Sequence, residues 1–289
     1  MVIDPKEVSV KQLHAYLLGA VVPRPIAFAS TIDLSGKVNL SPFSYFNVFS
    51  ANPPILIFSP ASRARNNTQK HSLENVLEVP EVTINMVNYD MVEQMSLAST
   101  EYDKGVNEFI KSGLTEAVST CVKPPYVKEA PIAFECKVVE VNSLGDEGGA
   151  GNLVICEVLL IRVNDDILDD SEKIDPFKLD AVARMGGNYY ARVQHDAIFE
   201  IPKPLATKGI GVDQLPREVR ESKILTGNNL GRLANVEKLP SKGGVEGFSK
   251  INSLTQLSLE ERHKAAQNLL SESKVEEAWL LLLIGVEEW

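Results

Sequence analysis

The sequence predicts a mainly β protein: an antiparallel β-barrel, closed or nearly so, with peripheral helices and an extended, partly helical C-terminal tail. Two observations point to it. Short runs rich in β-branched and apolar residues recur at 26–32, 38–40, 55–59 and 82–87, and two long ones at 132–142 and 152–164. Turn chemistry joins them as antiparallel hairpins, DLSGK at 33–37 and the glycine-rich LGDEGGAG at 144–151. A third observation works by exclusion. Helices are interspersed rather than alternating strictly with strands, and no GxGxxG follows a strand, which argues against a doubly wound parallel sheet.

In chain order, residues 6–19 predict a short helix, and further helices are expected at 68–77, 91–98 and 106–111. In the 68–77 helix, Asn67 or Thr68 is the expected N-cap, with Leu73, Val76 and Leu77 as the apolar stripe. Lys70 and Ser72 would then lie in the opening turn, where unpartnered N–H groups favour an anion. The irregular, polar SPFS at 41–44 is expected between strands, with Pro42 interrupting pairing. After Pro204 the composition shifts. Residues 205–250 lack clear periodicity and read as an extended segment with tight turns, whereas 257–284 read as two helices, the first opened by a Ser258/Glu261 capping box.

Composition narrows the function. A 289-residue chain with a formal net charge of -10 argues against a nucleic-acid partner and against docking on an anionic membrane surface. Its three cysteines are odd in number and form no CxxC pair, which favours a reducing, cytoplasmic location; Cys136 and Cys156 read as small core residues on neighbouring strands. His14, His71, His195 and His263 make no metal-ligand spacing, so no metal is expected. The longest apolar run, AWLLLLIG at 278–285, is far short of the roughly 20 residues that a bilayer span needs, and MVIDPKEVSV has no signal-peptide pattern.

The chemistry concentrates between Pro23 and Asn75. Segments dense in Ser, Thr and Asn offer neutral hydrogen-bonding groups beside aromatics, which suits a flat heterocycle. Arg63, Arg65, Lys70 and Ser72 cluster before or at a helix start, which suits a phosphate. A flavin mononucleotide fits both halves. Phe49 reads as a barrel-wall aromatic. Arg24, stiffened between two prolines, reads equally as a phosphate or carboxylate contact and as a structural ion pair. His195 is a candidate proton donor.

The blocks PRPIAFAST (23–31), NLSPFSYFN (39–47), NPPILIFSP (52–60), KHS (70–72), GNLVICEV (151–158) and RMGGNYYARV (184–193) resemble, in order, those of the flavin reductase-like family, whose fold is the FMN-binding split barrel. The resemblance spans roughly 15–205. It implies a barrel domain at 1–205; the segment beyond it, 206–289, reads from its composition as a C-terminal extension, not an independent domain, that packs on the barrel or on a dimer partner. It implies non-covalent FMN, with Arg63, Lys70 and Ser72 on the phosphate and Ala29, Ser30, Thr31, Ser44, Tyr45, Phe46 and Asn47 on the ring and ribityl chain. It further implies that the segment of Gly187 and Tyr190 lies near the flavin as a second wall, with Tyr190 as lid or substrate-side residue. Two positions depart from the family pattern: His71 stands where relatives usually have Asp, and Asn152 where they commonly have His. The implied activity, by a homodimer, is NAD(P)H-dependent flavin reduction, or reduction of a small-molecule substrate through bound FMN, with hydride passing from nicotinamide to flavin N5. Two alternatives stay open: a flavoredoxin-like electron carrier reduced by a redox protein partner, and a non-enzymatic flavin-binding or structural dimer.

Overall fold

Strand β1 (Ala27–Ile32) is buried along its whole length, because it is a central strand covered on both faces. Around it the chain adds β2 (Val38–Phe43), β3 (Phe46–Ala51), β4 (Pro54–Phe58) and β5 (Glu81–Asn85). After the two-residue strands β6 (Glu116–Ala117) and β7 (Tyr126–Val127) come the long β8 (Ile132–Ser143) and β9 (Asn152–Val163). Seven of these form one sheet in the order β2-β1-β5-β8-β9-β4-β3, antiparallel throughout. The short pair β10 (Val182–Arg184) and β11 (Tyr190–Arg192) stands apart. The computed structural model describes residues 1–202, 208–252 and 256–286.

The connectivity forces the sheet to curl. Its two edges, β2 and β3, are consecutive in the chain and joined by Ser44 and Tyr45 alone. Six strand spacings would put the edges of a flat sheet about 29 Å apart, whereas the three virtual bonds from Phe43 to Phe46 reach about 11 Å. The sheet therefore rolls into a barrel whose split falls at Ser44–Tyr45. Alternation along β1 divides the packing: Ala27 and Ala29 join the inner core with Phe58, Leu73, Val76, Ile84, Cys136 and Cys156, while Phe28 joins an outer layer with Leu40, Met91, Met95 and Phe109. That outer layer includes residues of α3 (Val92–Ala98) and α4 (Glu108–Ser112). Cys136 and Cys156 lie on neighbouring strands, and burial pushes the Cys136 thiol up to about 12, so both behave as core residues.

Several local expectations change. Pro42 does not interrupt pairing: it sits opposite Phe28 in β2, an edge strand, where a proline costs no ladder hydrogen bond on the outer side. Phe49 is no wall residue. It lies on the other edge strand and is 64% exposed. The second helix, α2 (His71–Glu78), begins later than expected with Lys70 at the N-cap. Thr68 is drawn away from capping because its hydroxyl donates to Asn66 Oδ1 and accepts from Arg63. The first helix, α1 (Val10–Ala20), opens with a Ser9/Gln12 capping box and buries none of its residues. A fifth, α5 (Pro176–Leu179), is capped by Asp175.

The chain divides into two compact units, Met1–Phe199 and Glu200–Trp289; the boundary expected at 205/206 falls outside the described residues. In the second unit, the 205–250 segment read as extended contains three helices: α6 (Arg217–Arg220), α7 (Gly227–Ala234) and α8 (Lys242–Asn252). The four residues of α6 are too few to show a period, and α7 and α8 are rich in Gly and Asn, which hides theirs. A Thr226/Asn229 capping box starts α7. The two helices expected at 257–284 are α9 (Leu259–Ser271), with its Ser258/Glu261 box, and α10 (Val275–Leu282). This unit has a core of its own around Leu233, Leu270, Trp279 and Leu282, and the Trp279 indole donates to Leu233 O at 3.0 Å. No helix among the described residues is long and apolar enough to cross a membrane.

Candidate active site

The split between β2 and β3 opens a cleft of about 260 Å³. The end of β2 and the joining residues line it: Ser41, Pro42, Phe43, Ser44 and Tyr45. Ser59 and Ala61, just past β4, form one side, and the Ser59 N–H donates to Tyr45 O at 2.8 Å, tying that side to the split. A Cβ on Gly151 would lie 2.8 Å from Ser59 Oγ, so a side chain there would have to displace this hydroxyl. His14 and Leu18 of α1, together with Lys70 and Ser99, complete the lining.

Arg24 holds this corner together. It is 5% exposed, and its guanidinium donates to Leu18 O and Val21 O, both at 2.6 Å, to Met185 O at 3.1 Å and to Ser44 Oγ at 3.4 Å. The contacts that the sequence left open, a phosphate or a structural ion pair, give way to a carbonyl clamp. The planar fork satisfies the last carbonyls of α1, where a cation also complements the helix dipole. Gly186 packs behind the same helix: a Cβ there would lie 3.1 Å from Gly19 Cα.

At the Lys70 end three cations meet one carboxylate. Glu101 Oε1 lies 3.4 Å from both Lys70 Nζ and Arg63 Nε, and its Oε2 lies 2.9 Å from Arg65 Nη2. Lys70, followed by the other neighbouring cations, holds the Glu101 carboxyl below its ordinary range. Arg63 is held independently through Thr68 Oγ1 at 3.1 Å and Gln69 O. Lys70 stands at the N-cap of α2, and its side chain makes no capping hydrogen bond to the helix's opening N–H groups.

Of the residues expected from the sequence, Ser44, Tyr45 and Lys70 line the cleft, and Arg63 is joined to its end through Glu101. The others lie elsewhere. Ala29, Ser30 and Thr31 are sealed in β1; Thr31 Oγ1 accepts from Asn75 Nδ2 at 3.1 Å, and Ser30 Oγ is buried with no partner among the described residues. Ser72 is 1% exposed and donates to Asn39 Oδ1 at 2.8 Å, while Asn39 Nδ2 donates to the buried Glu108. Phe46 packs on the inner core, and Asn47 Oδ1 accepts from the N–H of Val48. Gly187 sits in the β10–β11 turn with φ 59°. Tyr190 lines a second cleft with Tyr89, Val92 and Arg192, and the Arg184 guanidinium lies 4.5 Å from its ring centre. His195 is exposed on a short turn and lines neither cleft. Asn152 is structural, donating to Pro60 O at 3.0 Å, and His71 faces a small separate cavity with Asp33, Lys37 and Asn39. Sequence reasoning missed His14, Leu18, Ser59 and Ser99, which reach the cleft from separate segments; it also missed Glu101, which nothing in the local sequence distinguishes.

A rolled antiparallel sheet with a hydroxyl-lined cleft at its split defines the class, and comparison with known proteins gives the family. Residues 18–182 match the family model described as flavin reductase-like domain, and the chain belongs to that family. A protein of unassigned function from Aquifex aeolicus is 40% identical over 187 residues, 65% of this chain and 93% of its own length. The crystal structure of nitrilotriacetate monooxygenase component B from Bacillus cereus matches with a TM-score of 0.65 at 28% identity, covering 70% of this chain and 98% of that one. A Shewanella frigidimarina structure described as a flavin reductase with a split barrel domain matches at 0.59 and 26%, covering 70% and 99%. The first unit thus has the split-barrel flavin reductase fold, followed by a helical C-terminal region.

Proposed function

We propose that the chain binds FMN non-covalently in the cleft at the barrel split and works as an NAD(P)H-dependent flavin reductase. One observation supports this above the others: hydroxyls and aromatic surface in the cleft run directly into Lys70, a cation at a helix N-cap. Ser41, Ser44, Ser59 and Ser99 offer donors and acceptors without charge. Phe43 and Tyr45 supply apolar surface against which a flat ring excludes water. Lys70 and Arg63 give charge-assisted hydrogen bonds to a phosphate. The cleft volume lies below the usual range for an enclosing ligand pocket of about 300–1,000 Å³, which suits a flavin left partly open to its reaction partner. FMN held there would supply the hydride chemistry of an NAD(P)H-dependent reductase; the chain binds, orients and shields it. Titration of the protein with FMN, followed by quenching of flavin fluorescence, tests the binding: saturable quenching is expected, and its absence contradicts the reading.

A second reading is an FMN-binding electron carrier. The net charge of -10 favours it, because an acidic surface suits docking on a basic redox protein.

A further inference from the structure

We propose that Glu101 competes with the phosphate of a flavin mononucleotide for Arg63 and Lys70, so that this one carboxylate sets how tightly the cleft retains the mononucleotide. The inference rests on the FMN reading above and names a residue which that reading does not use.

The geometry carries it. Glu101 Oε1 bridges Arg63 and Lys70 at 3.4 Å each, the place a phosphate oxygen would take between the same two cations. The carboxylate is not needed to position Arg63, which is 14% exposed and is fixed by Thr68 and Gln69. The Lys70 backbone is set by the start of α2, and its ammonium, 3.4 Å from Glu101, is held by that carboxylate in a contact that a phosphate would replace. Glu101 itself belongs to no helix or strand, is 45% exposed, and follows Ser99 at the cleft end by two residues. Its shortest contact is to Arg65 at 2.9 Å, on the other oxygen. A phosphate entering from the cleft can therefore take Arg63 and Lys70 while the carboxylate keeps Arg65. A phosphate monoester carries about 1.5–2 negative charges near neutral pH against one on the carboxylate, so it wins this exchange, but at the cost of two ion pairs. Riboflavin, which has no phosphate, has no exchange to make. Glu101 thus weakens the mononucleotide selectively and makes the flavin exchangeable.

The test measures the dissociation constants of FMN and riboflavin by fluorescence quenching on the full chain. The proteins are the wild type, E101Q, E101A and E74Q; the last removes a carboxylate from α2 that pairs with Lys104 instead. E101Q and E101A are expected to tighten FMN about tenfold, the scale of two partly exposed ion pairs released, and to leave riboflavin unchanged; E74Q is expected to change neither. Unchanged or weaker FMN binding in both Glu101 variants overturns the inference, as does an equal gain for riboflavin. A wild type that binds neither flavin overturns the FMN reading and the inference with it, an outcome distinct from FMN binding that ignores Glu101.

Discussion

Lys70 illustrates how little of a site one residue type reveals. A lysine at a helix start is electrostatically misplaced unless an anion offsets it, and Glu101 supplies that anion 3.4 Å away. If a flavin phosphate takes the same place, Lys70→Ala should weaken FMN binding by about 1–2 kcal/mol, at the lower end for a charge-assisted contact because the side chain is 34% exposed. Riboflavin binding should be unaffected, and equal losses for both flavins would place Lys70 elsewhere on the ligand. Side-chain direction was not legible at this scale. Ser72 sits two residues from Lys70 yet faces inward to Asn39, because a helix turns its face by 100° per residue. Ser30 and Thr31 are polar residues in a strand buried on both faces, and the sequence alone does not show that burial.

Among the elements, α1 and the split depend on Arg24. It joins carbonyls at 18, 21 and 185 to Ser44. Arg24→Ala would leave those part-buried carbonyls without their shared donor, and a loss of about 1–3 kcal/mol is expected by chemical denaturation. Arg24→Lys should recover little, since an ammonium cannot span the fork. A loss below 0.5 kcal/mol, on the order of an ordinary surface change, would contradict the clamp. In the second unit His263 is 3% exposed, with Nδ1 2.7 Å from Ser222 Oγ, and burial lowers its affinity for a proton below the ordinary imidazole value of 6.5. The sign follows: the unfolded chain takes up a proton that the folded one refuses, so stability is intact above about pH 6.5 and falls as the pH drops below it. His263→Asn should flatten the pH dependence of stability relative to wild type between about pH 5.5 and 7; parallel curves would show that the imidazole is not the source. Long strands and capped helices were legible because period and turn chemistry agree there. Strand β3 was not, since Tyr45, Phe46 and Asn47 continue without a turn signal from an edge strand containing proline.

For the whole molecule, the barrel was legible and its closure follows from two residues, Ser44 and Tyr45, joining opposite edges of one sheet. The cleft was less so, because it assembles residues from α1, the β2–β3 junction, the segment after β4, and Ser99 beyond α3. No spacing rule connects them. We propose the homodimer that the family resemblance implies. Apolar side chains left exposed on β3 (Val48, Phe49) and β9 (Leu159, Ile161) support it, and sedimentation equilibrium should give twice the 31.7 kDa chain mass; a single-chain mass at micromolar concentration would contradict it. The central claim concerns redox function, and the most direct measurement is an anaerobic absorbance titration of the FMN-loaded protein with NADH and then NADPH. Loss of the oxidised flavin band within seconds of adding one nucleotide is the predicted result, and it names the donor. A stable yellow complex that neither nucleotide bleaches would contradict the reductase reading and leave the electron carrier in its place.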